Sequence, residues 1–317
     1  MDTVIDNQPS LSHRPIYHYT SQRGLLGIIT EKKIWATNIL YMNDSTEFTY
    51  SVELAYSEVE KLRKISRNNE DISFLELINT NLRAMNVWLY AKNIYVCSFS
   101  TESDQLSQWR GYCPNGNGFS IGFNFDSQLL DFSRQQGFDL FECVYNQSDQ
   151  SEIIKEFLVE ALDKFHLISA KANLDDRTTQ ALRTFEFGHK FLRIASRFKH
   201  PKFSEEKEWR LISQPISSDN SQVRFREGKS MLIPFFEIKL TENKDDELLN
   251  ITDIWIGPTP HPILSQSSIE GVLIANNVRG GCMTYLTNKK QEFPLSVYQK
   301  FHIERGSMQL MKFLASL

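Results

Sequence analysis

Residues 15–38 read PIYHYTSQRGLLGIITEKKIWATN, and this stretch decides how the chain begins to fold. Its two ends are rich in isoleucine, tyrosine, tryptophan and threonine, which favour strands, while its middle carries apolar residues at helical spacing. The pattern predicts a strand, a helix and a strand, at about 15–20, 21–31 and 34–38. The elements that follow decide which fold class this opening belongs to.

The first predicted strand carries a histidine between two tyrosines. Alternation along the strand puts His18 and Thr20 on one face and Tyr17 and Tyr19 on the other. Tyrosine and threonine occur in strands for packing reasons alone. A second interpretation is that His18 forms part of the floor of a ligand site. The residues by themselves leave both interpretations open.

The chain as a whole has the composition of a globular protein with a sizeable core. Of its 317 residues, 41% are hydrophobic and 12% are aromatic, while glycine and proline number only 14 and 10. This length allows one large domain, or one domain with an insertion. The net charge of −4 gives no general attraction to nucleic acid or to anionic lipid, although it is compatible with a local basic cleft.

The N-terminal residues and the cysteines bear on where the protein works. Residues 1–14 lack the basic and apolar regions of a signal peptide, and we interpret them as a flexible arm before a single domain at 15–317. No apolar run approaches the roughly 20 residues that span a bilayer, so no membrane partner is expected. The four cysteines have neither disulfide-scaffold nor zinc-site spacing. We therefore expect a cytoplasmic protein without a bound metal.

Later elements do not alternate regularly between strand and helix. Helices are predicted after Asn43 or Asp44 and at about 71–92, 103–110 and 262–276. Strands are predicted at 93–100, 117–125, 138–146, 208–213, 222–227, 230–240, 251–257 and 283–287. Between the two groups of strands, residues of about 150–200 carry apolar stripes at helical spacing, which predict a helical insertion. This order predicts an α+β fold.

Common catalytic and nucleotide-binding motifs are missing from the sequence. Gly116 and Gly118 are followed by an alternating strand pattern, so they predict a turn and not a dinucleotide-binding loop. The motifs of Walker-type ATPases, zinc proteases and α/β-hydrolases do not occur. Candidate site residues must therefore come from less specific patterns.

Two short segments supply several such candidates. SQWRGY at 107–112 brings together Trp109, Arg110 and Tyr112, and an aromatic ring with a guanidinium can hold a base or a phosphate. The alternative is that a helix end is packed on the core. Ser98 and Ser100 share one face of their predicted strand, which is compatible with a polar cleft.

EWRLIS at 208–213 is predicted to be a strand with an acid and a base on the same face. Glu208 and Arg210 share that face, while Trp209 and Leu211 point to the core. At a solvated edge the ion pair would contribute roughly 0–1 kcal/mol. In a cleft, a glutamate could instead bind sugar hydroxyls or stabilise positive charge at an anomeric carbon.

Six segments in this order resemble the uncharacterised bacterial family DUF2971. They are YHYTSQRGLLGII, IWATNILYMNDSTEF, VCSFSTESDQLSQWRGY, NGFSIGF, EEKEWRLI and ITDIWIGP, and they span about 15–260. The order of the six, more than any single segment, carries the resemblance. Proteins of this family occur among bacterial conflict and phage-defence genes, which implies a toxin-like or antiviral effector.

The opening HYTS…GLLGII followed by IWAT also resembles the start of the ADP-ribosyltransferase fold, which implies a split β-sheet core. In that fold a histidine or arginine on the first strand grips the NAD ribose, and a late glutamate acts in catalysis. The resemblance implies these roles for His18 and Glu208. A serine or tyrosine supports the nicotinamide side, and Tyr41, Ser98 and Ser100 all remain candidates for that position.

The same resemblance implies an NAD-using transferase or NAD glycohydrolase with a macromolecular target. Its implied nucleotide contacts also include Tyr19, Thr20, Asn43, Trp109, Arg110, Tyr112 and Arg210. The alternative is a non-catalytic module that senses a nucleotide or a phage component. A nucleic-acid-processing effector is a third class, which the balanced charge disfavours.

Overall fold

The structure, a computed structural model, describes residues 14–42, 46–83, 92–113, 118–169, 187–242 and 249–278. The strands are β1 (Ile16–Ser21), β2 (Lys33–Asn38), β3 (Lys92–Asn93), β4 (Tyr95–Ser100), β5 (Gly118–Phe123), β6 (Phe138–Glu142), β7 (Glu208–Ser213), β8 (Ile216–Ser217), β9 (Arg224–Glu227), β10 (Leu232–Lys239) and β11 (Ile251–Ile256). The helices are α1 (Gln22–Glu31), α2 (Thr46–Ile65), α3 (Asn69–Arg83), α4 (Leu106–Tyr112), α5 (Ser127–Gln135), α6 (Gln147–Ser169), α7 (187–195) and α8 (Pro262–Ala275). Short 3-10 helices occupy Ile39–Tyr41 and Pro201–Glu206.

An antiparallel sheet of nine strands organises the fold, and it forks at β4. One side of β4 pairs with β7, which in turn pairs with β6. On the other side, the first residues of β4 pair with β2, whereas Ser100 at its end pairs with Tyr17 of β1. Residues 97–99 of β4 have no described strand partner on this side. We call this gap between β1 and β2 the fork.

Two wings leave the fork in different directions. The first consists of β1, β5 and β11, and the second of β2, β10 and β9. Helix α1 connects β1 to β2 and so links the two wings. Its N-cap is Ser21, whose side chain accepts a hydrogen bond from the Gly24 N–H, and it ends at Lys32 in the left-handed conformation.

A close approach between α1 and β1 requires a glycine. A Cβ atom at position 24 would lie far too near the Thr20 Oγ1 atom, because the first turn of α1 passes directly over the end of β1. Gly27, one turn later, faces open space. The fixed entry of α1 brings Leu25, Ile28 and Ile29 onto the sheet.

The main hydrophobic core lies on one face of the sheet and extends under both wings. Helices α1, α5 and α8 cover it, and Cys97, Phe99 and Trp209 contribute from the central strands. Burial of each large apolar side chain stabilises the fold by about 1.5–3 kcal/mol. This face is therefore occupied by packing.

A layer of helices covers the centre of the opposite face. Helices α2, α3, α6 and α7 form a second cluster with Val96, Phe141 and Ile212 of the three central strands. Phe74 of α3 and Phe165 of α6 stack with ring centroids 4.5 Å apart. The predicted helical insertion thus shares one layer with helices that precede it by about a hundred residues.

Comparison with the sequence predictions confirms the α+β class. The predicted strand at 138–146 ends at Glu142, the predicted helix at 103–110 lies at Leu106–Tyr112, and helix α5 was missed by the sequence pattern. The strand predicted at 283–287 and most of the N-terminal arm lie outside the described residues, so the single domain at 15–317 stays a prediction. No helix in the described ranges is long and apolar enough to cross a membrane.

Candidate functional site

His18 lies at the fork. Its Nδ1 atom is 2.9 Å from the carbonyl oxygen of Ser98, at the part of β4 that has no described strand partner on this side. A carbonyl oxygen only accepts hydrogen bonds, so Nδ1 carries the proton and Nε2 presents a lone pair. Within the described part of the chain, Nε2 makes no hydrogen bond. Burial lowers the pKa of His18, which keeps the ring neutral at pH 7.

A second polar atom without a partner belongs to Ser98 itself. Its Oγ atom is buried and has no hydrogen-bond partner among the described residues. Ser98 pairs with Arg210 across β4 and β7, so its side chain shares a face with that arginine. Buried polar atoms are rarely unsatisfied. The Ser98 hydroxyl and the His18 ring nevertheless lie on opposite faces of the sheet, because Ser98 shares the face of Arg210 whereas the His18 ring contacts Phe99.

Ser100 has a structural task. Its hydroxyl donates to the Glu206 carbonyl oxygen at 2.7 Å and accepts from the Glu102 N–H at 3.1 Å. It therefore fixes the end of β4 against the segment before β7. Of the two serines that the sequence left open, only Ser98 has a hydroxyl that is not engaged within the described ranges.

Four charged side chains form a buried cluster beside Ser98 and Ser100. Glu208 Oε1 lies 2.7 Å from Arg210 Nε, and Glu208 Oε2 lies 3.0 Å from Arg210 Nη2. Lys199 Nζ lies 2.6 Å from both Glu208 Oε2 and Glu206 Oε2. We call Lys199, Glu206, Glu208 and Arg210 the charge quartet. Its formal charges sum to zero.

The quartet determines the ionisation of Glu208. Burial alone would raise the pKa of this carboxyl, but the positive charges of Arg210 and Lys199 outweigh that effect and bring the pKa to about 2. Glu208 is therefore an anion at every physiological pH, and both its oxygens are bonded to cations. Strand β7 lies between β4 and β6, so the solvated-edge interpretation of Glu208 and Arg210 is wrong.

The register of the strands separates His18 from Glu208. Tyr17 pairs with Ser100, and Ser100 pairs with Glu208, so these three side chains share one face. His18 leaves β1 on the other face, where its ring contacts Phe99 of the main core. The alternation predicted for the opening strand is confirmed, but the tyrosine face and not the histidine face looks toward Glu208.

Two tyrosines border the quartet. The hydroxyl of Tyr145 accepts the Glu208 N–H at 2.7 Å. Tyr112 is 38% exposed, and burial and then the negative charge of Glu208 raise the pKa of its hydroxyl. Sequence patterns did not single out Tyr145, Lys199 or Glu206. The close spacing of charges in KHPKFSEEKEWR was a signal for Lys199 and Glu206, but nothing marked Tyr145.

The aromatic residues before the quartet serve packing more than ligand contact. Trp109 is buried against Tyr19, with ring centroids 4.8 Å apart, and its Nε1–H donates to Asp104. The hydroxyl of Tyr19 donates to the Glu102 carbonyl oxygen. Arg110 is exposed on the outer side of α4, so it does not join Trp109 and Tyr112 in one base- or phosphate-binding group.

The remaining candidates are spread over the molecule. Thr20 shares the His18 side of β1 and presses on Gly24, while its carbonyl oxygen accepts from the Cys113 thiol. Tyr41 is exposed in the 3-10 helix after β2. Asn43 lies outside the described residues. The structure therefore brings together His18 with Ser98, and Ser100 and Tyr112 with the Glu208–Arg210 pair, but not all twelve candidates around one cleft.

Fold and site define an α+β protein whose antiparallel sheet forks beside a buried charge quartet. A family model described as "Protein of unknown function (DUF2971)" matches residues 108–211, from α4 to β7, and confirms the resemblance to that family over this region. The opening stretch lies outside the match, so its resemblance to the ADP-ribosyltransferase fold stays a prediction. No curated protein and no solved structure matches the chain.

Proposed function

We propose that the fork binds a nucleotide and that the protein is a non-catalytic sensing module of a bacterial defence system. One observation carries this proposal: among the described residues, His18 Nε2 has no hydrogen-bond partner at the fork, whereas the carboxylate of Glu208 is bonded to both Arg210 and Lys199. A polar atom is thus available to a ligand at the fork, while the candidate catalytic carboxylate is occupied by two cations.

Chemistry at the fork suits a sugar hydroxyl. Neutral His18 offers a lone pair at Nε2, which accepts a hydrogen bond from an O–H donor such as a ribose hydroxyl. NAD and ADP-ribose carry such ribose hydroxyls, which makes them the first ligands to test.

Thermal unfolding of the full chain with NAD, with ADP-ribose and with ribose-free nicotinamide tests the proposal. A ligand at 100 times its Kd stabilises the folded protein by about 2.7 kcal/mol, which raises the Tm measurably. We expect a shift with the two ribose-containing compounds, no shift with nicotinamide, and no consumption of NAD. If none of the three compounds raised the Tm, the proposal would be wrong.

Matched variants locate the binding. His18→Asn keeps an N–H donor near the Nδ1 position for the Ser98 carbonyl and removes the Nε2 lone pair, so the protein folds but loses the ligand shift. Ser98→Ala removes an unsatisfied hydroxyl and costs little stability. Ser100→Ala is the control serine on the same strand, and we expect it to lower the Tm but to keep the ligand shift.

A second candidate, an ADP-ribosyltransferase-like enzyme, is favoured by the forked sheet and by the permanent charge of Glu208. In that reaction the nicotinamide–ribose bond breaks, and its electron pair leaves with nicotinamide. Water or a macromolecular nucleophile then forms the new bond to the ribose carbon. An ionised glutamate would stabilise the oxocarbenium-like state. Glu208 would stabilise this state only after Lys199 or Arg210 had moved away from its carboxylate.

Nicotinamide release from NAD separates the two candidates. Turnover by the wild-type chain that is lost in a folded Glu208→Gln variant would support the enzyme. Because this variant leaves Arg210 without its carboxylate and Lys199 without one of its two, its folding must be verified at the assay temperature. Glu206→Gln, which removes the other carboxylate in contact with Lys199 and leaves Glu208 in place, is the matched control. Stabilisation by NAD without any release supports the sensing module.

A further inference from the structure

The wing of β2, β10 and β9 has one face in the main core and one open face. Ile34, Ala36, Phe236 and Ile238 point into the core. Pairing of β2 with β10 and of β10 with β9 places the intervening residues on the other face. We call this side the wing face; its residues are Lys33, Trp35, Thr37, Arg224, Arg226, Ile233, Phe235, Glu237 and Lys239.

An exposed tryptophan lies at the middle of the wing face. Trp35 is 42% exposed, although it sits in the centre of a strand. Phe235 lies beneath it, with ring centroids 4.4 Å apart and ring planes inclined by 33°. Phe235 is buried but belongs to neither of the two large core clusters. The Trp35 ring is thus supported by Phe235, and its outer face is available to stack against another planar ring.

The wing face is also positively charged. Glu237 pairs with Lys33 at 2.7 Å and lies 3.5 Å from Arg224, so one carboxylate is shared by two positively charged side chains. Arg226 has no carboxylate partner in the described ranges; its Nη2 reaches the Thr37 hydroxyl at 3.4 Å and its buried Nε has no partner. With Lys239, which pairs with Lys33, the wing face carries four bases and one acid, a local charge of +3 on a chain whose net charge is −4.

We propose that the wing face binds single-stranded nucleic acid, with a base stacked on Trp35 and phosphates bound by Arg226 and Arg224. Aromatic platforms next to basic side chains are the general means of binding single strands. Duplex is disfavoured because its bases are already stacked. A free nucleotide is disfavoured because small ligands bind in concave sites that enclose most of their surface, whereas Trp35 stands on an open sheet face.

Binding at the wing face is independent of nucleotide binding at the fork. Binding at the fork depends on His18, and binding at the wing face on Trp35 and Arg226, so variants of one site leave the other in place. Either proposal can fail while the other stands.

Fluorescence anisotropy of the full chain with labelled 12-residue DNA and RNA oligonucleotides tests this inference. Stacking of one base on an aromatic side chain corresponds to roughly 5- to 150-fold in affinity. We therefore expect Trp35→Ala to weaken binding at least about fivefold, and Trp35→Phe to retain most of the affinity. Arg226→Gln should lower the slope of log K against log salt by about 0.7 for one lost phosphate contact.

Phe225→Ala is the matched control. Phe225 lies on the same strand as Arg226 and is 63% exposed, but alternation places it on the other side of β9. Its loss should leave the affinity unchanged. No binding at low salt, equal binding by wild type and Trp35→Ala, or equal affinity for duplex or for a free mononucleotide would each overturn the inference.

Discussion

Arg210 illustrates how one side chain can hold a site together. It is among the largest fully buried side chains, and it reaches Glu208 through two hydrogen bonds and the Ser196 carbonyl oxygen through a third. Buried ion pairs are not strongly stabilising relative to apolar packing, but removal of one partner leaves an uncompensated charge. The quartet is therefore sensitive to the loss of any single member.

We expect Arg210→Gln to lower the free energy of unfolding by about 3–5 kcal/mol, because Glu208 keeps only Lys199 as a charged partner. Urea denaturation measures this change. Lys155→Gln, which removes an exposed ion pair with Glu152, should cost at most about 1 kcal/mol. Equal effects of the two substitutions would contradict the buried position of the quartet.

Acid should destabilise the protein in two stages. The pKa of folded Glu208 is about 2, below its ordinary value of 4.5, so its contribution is complete above pH 4.5 and is lost as the pH falls toward 2. That contribution is about 3 kcal/mol. The pKa of folded His18 is also lowered, and since the unfolded chain takes up a proton first, stability begins to fall below pH 6.5.

Denaturation at a series of pH values measures both stages. In Glu208→Gln the loss between pH 4.5 and 2 should become smaller, while in His18→Asn the loss that begins near pH 6.5 should disappear. An unchanged pH profile in both variants would show that neither group is linked to folding as described.

At the scale of elements, α1 and β1 depend on each other through one contact. Gly24→Ala introduces a methyl group against the Thr20 side chain, and we expect it to destabilise the protein by about 1–3 kcal/mol. Gly27→Ala in the same helix meets no atom and should instead stabilise it by roughly 0.5–1 kcal/mol.

A double-mutant cycle isolates that contact. Adding Thr20→Ala to Gly24→Ala removes the clashing hydroxyl, so the double variant should recover most of the stability lost by Gly24→Ala. Strictly additive losses would mean that the glycine is required for another reason.

At the scale of the whole molecule, the central strands and the outer strands differ in protection. Strand β7 has strand neighbours on both sides and a hydrophobic cluster on each face, whereas β9 lies at the end of a wing with three of its four residues exposed. We expect amide exchange, measured by mass spectrometry, to be slowest in β4 and β7 and fastest in β9. Comparable rates would mean that the sheet opens as one unit.

The sequence predicted the strands and the faces of their side chains well, because alternation is a local property. Alternation alone separates His18 from Tyr17, and Trp209 from Glu208, and the strand register agrees with both separations. It could not predict which strands are neighbours. The link between Ser100 and Glu208 spans more than a hundred residues, and only that pairing shows on which side of the sheet Glu208 and His18 lie.

The sequence pattern also did not predict that the charges of Glu208 and Arg210 are buried. Glu208 and Arg210 look like an edge pair because they alternate with Trp209 and Leu211, as they would on a half-exposed strand. They are buried because α7 and the chain after it bring Lys199 and the Ser196 carbonyl oxygen onto them. Such partners arise from tertiary packing, which periodicity within one strand does not contain.

The fork creates an unpaired strand edge inside the described part of the protein. Backbone groups alternate in direction along a strand, and Tyr95 and Thr101 donate their N–H groups on the β7 side. Of residues 97–99, only Ser98 therefore points its backbone into the gap between β1 and β2, where the His18 Nδ1–H donates to its carbonyl oxygen. A buried backbone carbonyl without a partner costs free energy. His18 therefore takes the place of a strand neighbour at this position, and its replacement by a small apolar residue would leave the Ser98 carbonyl oxygen unsatisfied.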